Sequence, residues 1–101
     1  GSEGFGDKVH GKVMLHPSPD SKEYTVRGRI IVINNCDETY LPLLKNAAGV
    51  VMQNHVDDIE SERYLKRIAK SLNLPIILRA EGASDVLRHE QLITLDAPHA
   101  I

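Results

Sequence analysis

The chain has no tryptophan, one phenylalanine and three tyrosines, so aromatic residues are only 4% of its 101 positions. A core without large rings must be built from Ile, Val, Leu and Ala, and a hydrophobic content of 42% suffices for one core in one domain. There is one cysteine, Cys36. That excludes an internal disulfide, and a reducing, cytoplasmic setting is the expected one. Neither sign of charge dominates: 12 basic against 14 acidic residues give a net charge of -2. With no long basic stripe, nucleic acid and anionic membranes are not expected partners. No apolar run approaches the roughly 20 residues that cross a bilayer. No signal peptide is visible. Gly1-Ser2 reads as a cloning remnant, residues 1–8 as a flexible tag or linker, and 9–101 as a single domain cut from a longer protein.

What is present is a repeated alternation of strand and helix. Residues 9–16 (VHGKVMLH) alternate weakly and predict a strand, with Gly11 as a bulge candidate. Two prolines in HPSPDS then mark a loop. Residues 23–27 read as a short edge strand. The run Ile30-Ile31-Val32-Ile33 is apolar on both faces, which suits the centre of a covered parallel sheet. Asp37 or Thr39 can cap the following helix, and Pro42 fits only in its first turn. Tyr40, Leu43, Leu44 and Ala47 share one face at helical spacing.

Residues 49–52 form the next buried strand. A helix follows from Glu60 or Ser61 to about Asn73, with Tyr64, Leu65, Ile68, Ala69 and Leu72 as its stripe. Its acidic start, basic end and Asn73-Leu74-Pro75 stop agree with the helix dipole and with capping. Residues 75–78 give another buried strand. Residues 82–90 give a helix with Ala83, Val86 and Leu87 inward, and 91–96 a last strand. The expected fold is α/β, with a mainly parallel central sheet flanked by three helices.

The order of these pieces from Gly28 to Asp96 resembles the swivelling, phosphohistidine-type domain of phosphoenolpyruvate-utilising enzymes. It is most like the extra C-terminal domain of bacterial pyruvate kinases. The residues that carry the resemblance are Ile30–Ile33, Cys36-Asp37, Leu41-Pro42, Ala47-Ala48-Gly49-Val50-Val51, Leu72-Asn73-Leu74-Pro75 and Glu90 to Asp96. In that family a Gly-Gly loop and a Thr-Ser-His open the helix, and the histidine carries phosphate. Counting back from Pro75, Glu62-Arg63-Tyr64 occupies the Thr-Ser-His place, and the loop reads Asn54-His55-Val56-Asp57-Asp58.

A phosphocarrier needs an unprotonated imidazole nitrogen and free helix amides around the phosphate. A phenol with a pKa near 10 is a poor substitute. Asp57, Asp58, Glu60 and Glu62 are expected to repel the anion. The resemblance therefore implies a non-catalytic domain of a larger enzyme, with neighbouring domains or subunits as partners and a role in packing, stability or regulation. It implies no cofactor. His55 is the candidate catalytic residue of the alternative, an active phosphocarrier. Asn35, Cys36 and Asp37 are the candidate ligand site of a second alternative, a small anion-binding module at the strand ends. His55 with Asp57, Asp58, Glu60 and Glu62 matches no metal-binding spacing, and a solvated loop explains them. His10, His16, His89 and His99 read as surface residues.

Overall fold

The computed structural model describes residues 2–97, which form a mixed α/β fold around a curled six-stranded sheet. The strands are β1 (Glu3–Phe5), β2 (Val9–Leu15), β3 (Arg29–Ile33), β4 (Gly49–Met52), β5 (Ile76–Leu78) and β6 (Leu92–Leu95). The helices are α1 (Glu23–Val26), α2 (Leu41–Asn46), α3 (Ile59–Leu72) and α4 (Ala83–Val86), with a 3-10 turn at Glu38–Tyr40 leading into α2. The spatial order is β1-β5-β4-β3-β2-β6. Pairings β2–β3, β3–β4 and β4–β5 are parallel. The outer pairings, β1–β5 and β2–β6, are antiparallel.

The branched run on β3 shows why the sheet is covered on both sides. Ile31 and Ile33 join Val26 of α1, Leu43 and Leu44 of α2, and Leu65 and Ala69 of α3 in one cluster. Ile30 and Val32 face the other way and join Val13, Val51, Ala83 and Leu95. These four β3 residues, Ile30 to Ile33, are buried, each stabilising the fold by about 1.5–3 kcal/mol in apolar transfer terms. The second layer is closed by the sheet curling over itself. A Cβ on Gly49 of β4 would lie 2.9 Å from Leu95 Cδ2 and 3.3 Å from Val9 Cγ1.

The structure corrects several expectations. Four α-helices are present among the described residues, where three were expected, and the sheet is antiparallel at both edges. Glu3–Phe5, expected in a linker, pairs with β5. Residues 23–27 form α1 instead of a strand, which lets Val26 reach the core. The helix over 82–90 is one turn long, Val86 is exposed, and Leu87 returns to extended backbone. Its Gly82 sits at φ +77° with no side-chain cap, so little propagates the helix. At Gly11 the pairing register with β6 runs without a skipped residue, so no bulge forms there. His99 lies outside the described residues.

Candidate functional site

The carboxyl ends of parallel strands β2 to β5 share one edge, the place where such sheets gather ligands. The loop after β3 brings Asn34, Asn35, Cys36 and Asp37 there. The loop after β4 brings Gln53, Asn54 and His55, and the end of β5 brings Arg79. α3 starts at the same edge. A cleft of about 450 Å³ lies between the β3 loop and the start of α3, lined in part by Asn35, Cys36, Asp37, Asp58, Ser61 and Tyr64.

The start of α3 is closed by its own side chains. Asp58 is the N-cap, and its Oδ1 accepts the Ser61 backbone N–H at 3.2 Å. Ser61 Oγ donates to Asp58 Oδ2 at 2.6 Å and accepts the Cys36 backbone N–H at 3.0 Å. A carboxylate of the chain thus holds the place where a helix N-terminus would cradle a phosphate. Tyr64 is the sixth residue of α3, beyond the first-turn amides. Burial pushes its hydroxyl above the ordinary value of 10.0, so a phenolate nucleophile is further out of reach. The Arg67 guanidinium lies 5.4 Å from its ring.

His55 is exposed in the loop before α3. Its Nδ1 accepts the Asp57 backbone N–H at 3.1 Å, which places the ring proton of the neutral form on Nε2. The Nδ1 lone pair is thereby engaged with the chain's own backbone. The Asp57 carboxylate also lies 3.4 Å from Nδ1.

Asn35, Cys36 and Asp37 are brought together on the cleft, as the sequence placed them. Their chemistry opposes an anion. Burial, then the Asp37 charge, pushes the Cys36 thiol up to about 12. Hydrogen bonds from the Thr39 hydroxyl and the Thr39 N–H (2.9 Å) hold the Asp37 carboxyl below its ordinary value. Glu38, Asp58 and Glu60 complete an acidic lining, with Arg67 as the cation on it. Asn34 turns aside, its Oδ1 accepting from Gln53 Nε2 at 2.7 Å. Gln53 also bonds Ser84 through both ends of its amide, at 2.9 and 3.0 Å, and so ties α4 to this edge.

The reading of Glu62 as one more repelling carboxylate is corrected. Glu62 is 9% exposed and turned toward the sheet. Its Oε1 accepts from Arg79 Nη1, and its Oε2 accepts from Asn54 Nδ2 at 2.7 Å. The Asn54 Oδ1 accepts the Arg79 backbone N–H at 2.9 Å, and Arg79 Nη2 bonds Glu3 Oε2 at 2.5 Å. Burial raises the Glu62 carboxyl, but the bonds from Asn54 and Arg79 outweigh it and hold the pKa below its ordinary value. This cluster joins β1, the loop after β4, α3 and the residue that follows β5. One signal for it was available: Glu62 falls on the stripe of Leu65 and Ala69, and a carboxylate in apolar register demands a partner.

No family model matches the chain. It is 27% identical over 101 residues to a pyruvate kinase of Sporosarcina psychrophila, across 98% of the chain and 17% of that relative. It is 29% identical over 94 residues to a pyruvate kinase of Staphylococcus haemolyticus, across 93% of the chain and 15% of that relative. A pyruvate kinase of Staphylococcus epidermidis is 24% identical over 94 residues. The chain spans less than a fifth of the length of these curated relatives, and the similarity fits a small domain of pyruvate kinase. No described helix is long and apolar enough to cross a membrane.

Proposed function

We propose that this chain is the swivelling-type C-terminal domain of a pyruvate kinase, and that it packs and regulates without carrying phosphate. The similarity to pyruvate kinases supports the host. The observation that carries the non-catalytic role is the occupied start of α3, where Asp58 caps the Ser61 amide and Tyr64 stands a turn too late. His55 is held as a hydrogen-bond acceptor on an exposed loop. The acidic lining around Asn35, Cys36 and Asp37 favours neither a phosphate carrier nor a small-anion module.

The test is labelling with phosphoenolpyruvate bearing radioactive phosphorus, together with the phosphorylating domains of a dikinase. The expected result is no acid-labile label on the chain. Label that disappears in a His55→Ala variant would overturn the reading. The packing role is tested in a pyruvate kinase that carries the segment. Its removal is expected to lower the thermal midpoint while turnover persists. Lost turnover in an enzyme that remains folded counts against a non-catalytic domain.

A further inference from the structure

A second cavity lies away from the strand carboxyl ends, between the turn after β1 and the C-terminal half of α3. It has a volume of about 490 Å³ and is lined by Phe5, Leu74 and Ile76 as apolar surface, with Lys66, Lys70 and Asp7 among its polar residues. That volume falls within the range of small-molecule sites, about 300–1,000 Å³. The cavity is held open by the fold. β1 pairs with β5 through Phe5–Ile76, and Gly6 at φ +96° turns the chain so closely that a Cβ would meet Pro75 Cα at 2.8 Å. Lys66 Nζ sits 5.4 Å from the Phe5 ring centre. Among the described residues neither Lys66 nor Lys70 has a carboxylate within ion-pair distance.

We propose that this groove binds a small amphipathic anion, its apolar body against Phe5, Leu74 and Ile76 and its acidic group between Lys66 and Lys70. Two ammonium groups without a carboxylate at ion-pair distance, beside an apolar floor, complement both the acidic group and the apolar body of such a molecule. A cation would meet two like charges, and a wholly apolar ligand would desolvate the lysines without compensation. Asp7 opposes the anion from the other wall, so it tunes affinity downward. This inference does not depend on the pyruvate kinase reading.

The probe is 8-anilinonaphthalene-1-sulfonate, an aromatic sulfonate, titrated against the whole folded chain by fluorescence and by amide chemical shifts. The expected result is saturable binding, with shifts confined to the segments around Phe5–Asp7 and Lys66–Ile76. A Lys66→Gln/Lys70→Gln double variant is expected to bind roughly fivefold to tenfold more weakly, the effect of two exposed charge contacts. Asp7→Asn is expected to bind more tightly. The uncharged analogue N-phenyl-1-naphthylamine should lose no affinity in the lysine variant. Absence of binding, shifts centred elsewhere, or equal affinity of the lysine variant with a native amide spectrum would each overturn the proposal.

Discussion

Glu62 and Cys36 show how single residues at this edge are committed to structure. Glu62 is buried with a cation and an amide as partners, so removing it strands both. Glu62→Ala is expected to cost about 1–3 kcal/mol in urea unfolding, with Glu62→Gln less severe because it keeps an acceptor for Asn54. The pH dependence has a definite sign. Folding lowers the Glu62 pKa, so the unfolded chain binds that proton more tightly. The contribution is full above the unfolded value near 4.5 and is lost as pH falls through the folded one. Glu90, held low by its hydrogen bond from Arg29, titrates in the same direction. Glu62→Gln should therefore flatten, without abolishing, the acid limb of a stability curve measured from pH 6 to 3. Cys36 makes a separate prediction. Its thiol is 4% exposed and its pKa is raised to about 12, so at pH 8 it is neutral and covered. Ellman's reagent is expected to leave the folded chain unmodified and to react with one thiol in urea. Rapid reaction of the native chain contradicts this burial.

At the scale of elements, α3 is the best specified. Its stripe, its acidic first turn, Lys70 in the last turn and Asn73 at φ 55° in the left-handed region all agree. The sequence also made β3, β4, β5 and β6 legible to within a residue or two, because runs such as Ile30–Ile33 admit few alternatives. Two short elements, α1 and β1, were not legible. Lys22 gives α1 no side-chain cap, and only the burial of Val26 against α2 and the sheet makes a turn of helix there worthwhile. β1 is likewise decided by a long-range partner, Arg79 on Glu3. At the candidate site, the grouping of Asn35, Cys36 and Asp37 was readable, since a strand end and a capping residue imply it. The Glu62–Asn54–Arg79 cluster was legible only at Glu62, whose place on an apolar stripe demands a partner; Asn54 and Arg79, 8 and 17 residues away, lie outside α3. Asp58 is the element-scale test. Asp58→Ala should destabilise the chain by about 0.5–2 kcal/mol, with Asp58→Asn closer to the parent. The loss is expected near the upper end, because Ser61 then loses the partner that orients it toward the Cys36 N–H. An Asp58→Ala variant as stable as the parent, measured by urea midpoint, would show that the cap does not hold this edge.

For the molecule as a whole, the curl of the sheet is the unusual element, because it lets 96 described residues cover both faces with α1, α2 and α3 on one side and only the one-turn α4 on the other. The far side relies on β6 and the start of β2 folding across β4, with Leu95 and Val9 reaching Gly49. That closure needs a small residue at the crossing. Gly49 has no positive φ, so its role is space and not backbone freedom. Adding a methyl group there would press on the ends of Leu95 and Val9, which can yield by a few tenths of an ångström. A branched side chain has nowhere to go in a layer that already holds Val13, Ile30 and Val51. Gly49→Ala is therefore expected to cost well under the about 1–3 kcal/mol of an overpacked core site, and Gly49→Val at least that much. The damage should appear at a distance. Amide exchange is expected to quicken along β6 and the start of β2, while α3 and β5, packed on the other face, keep their protection. Uniform loss of protection across both layers would mean that the curl is not an independent feature of the fold, and that the two clusters open together.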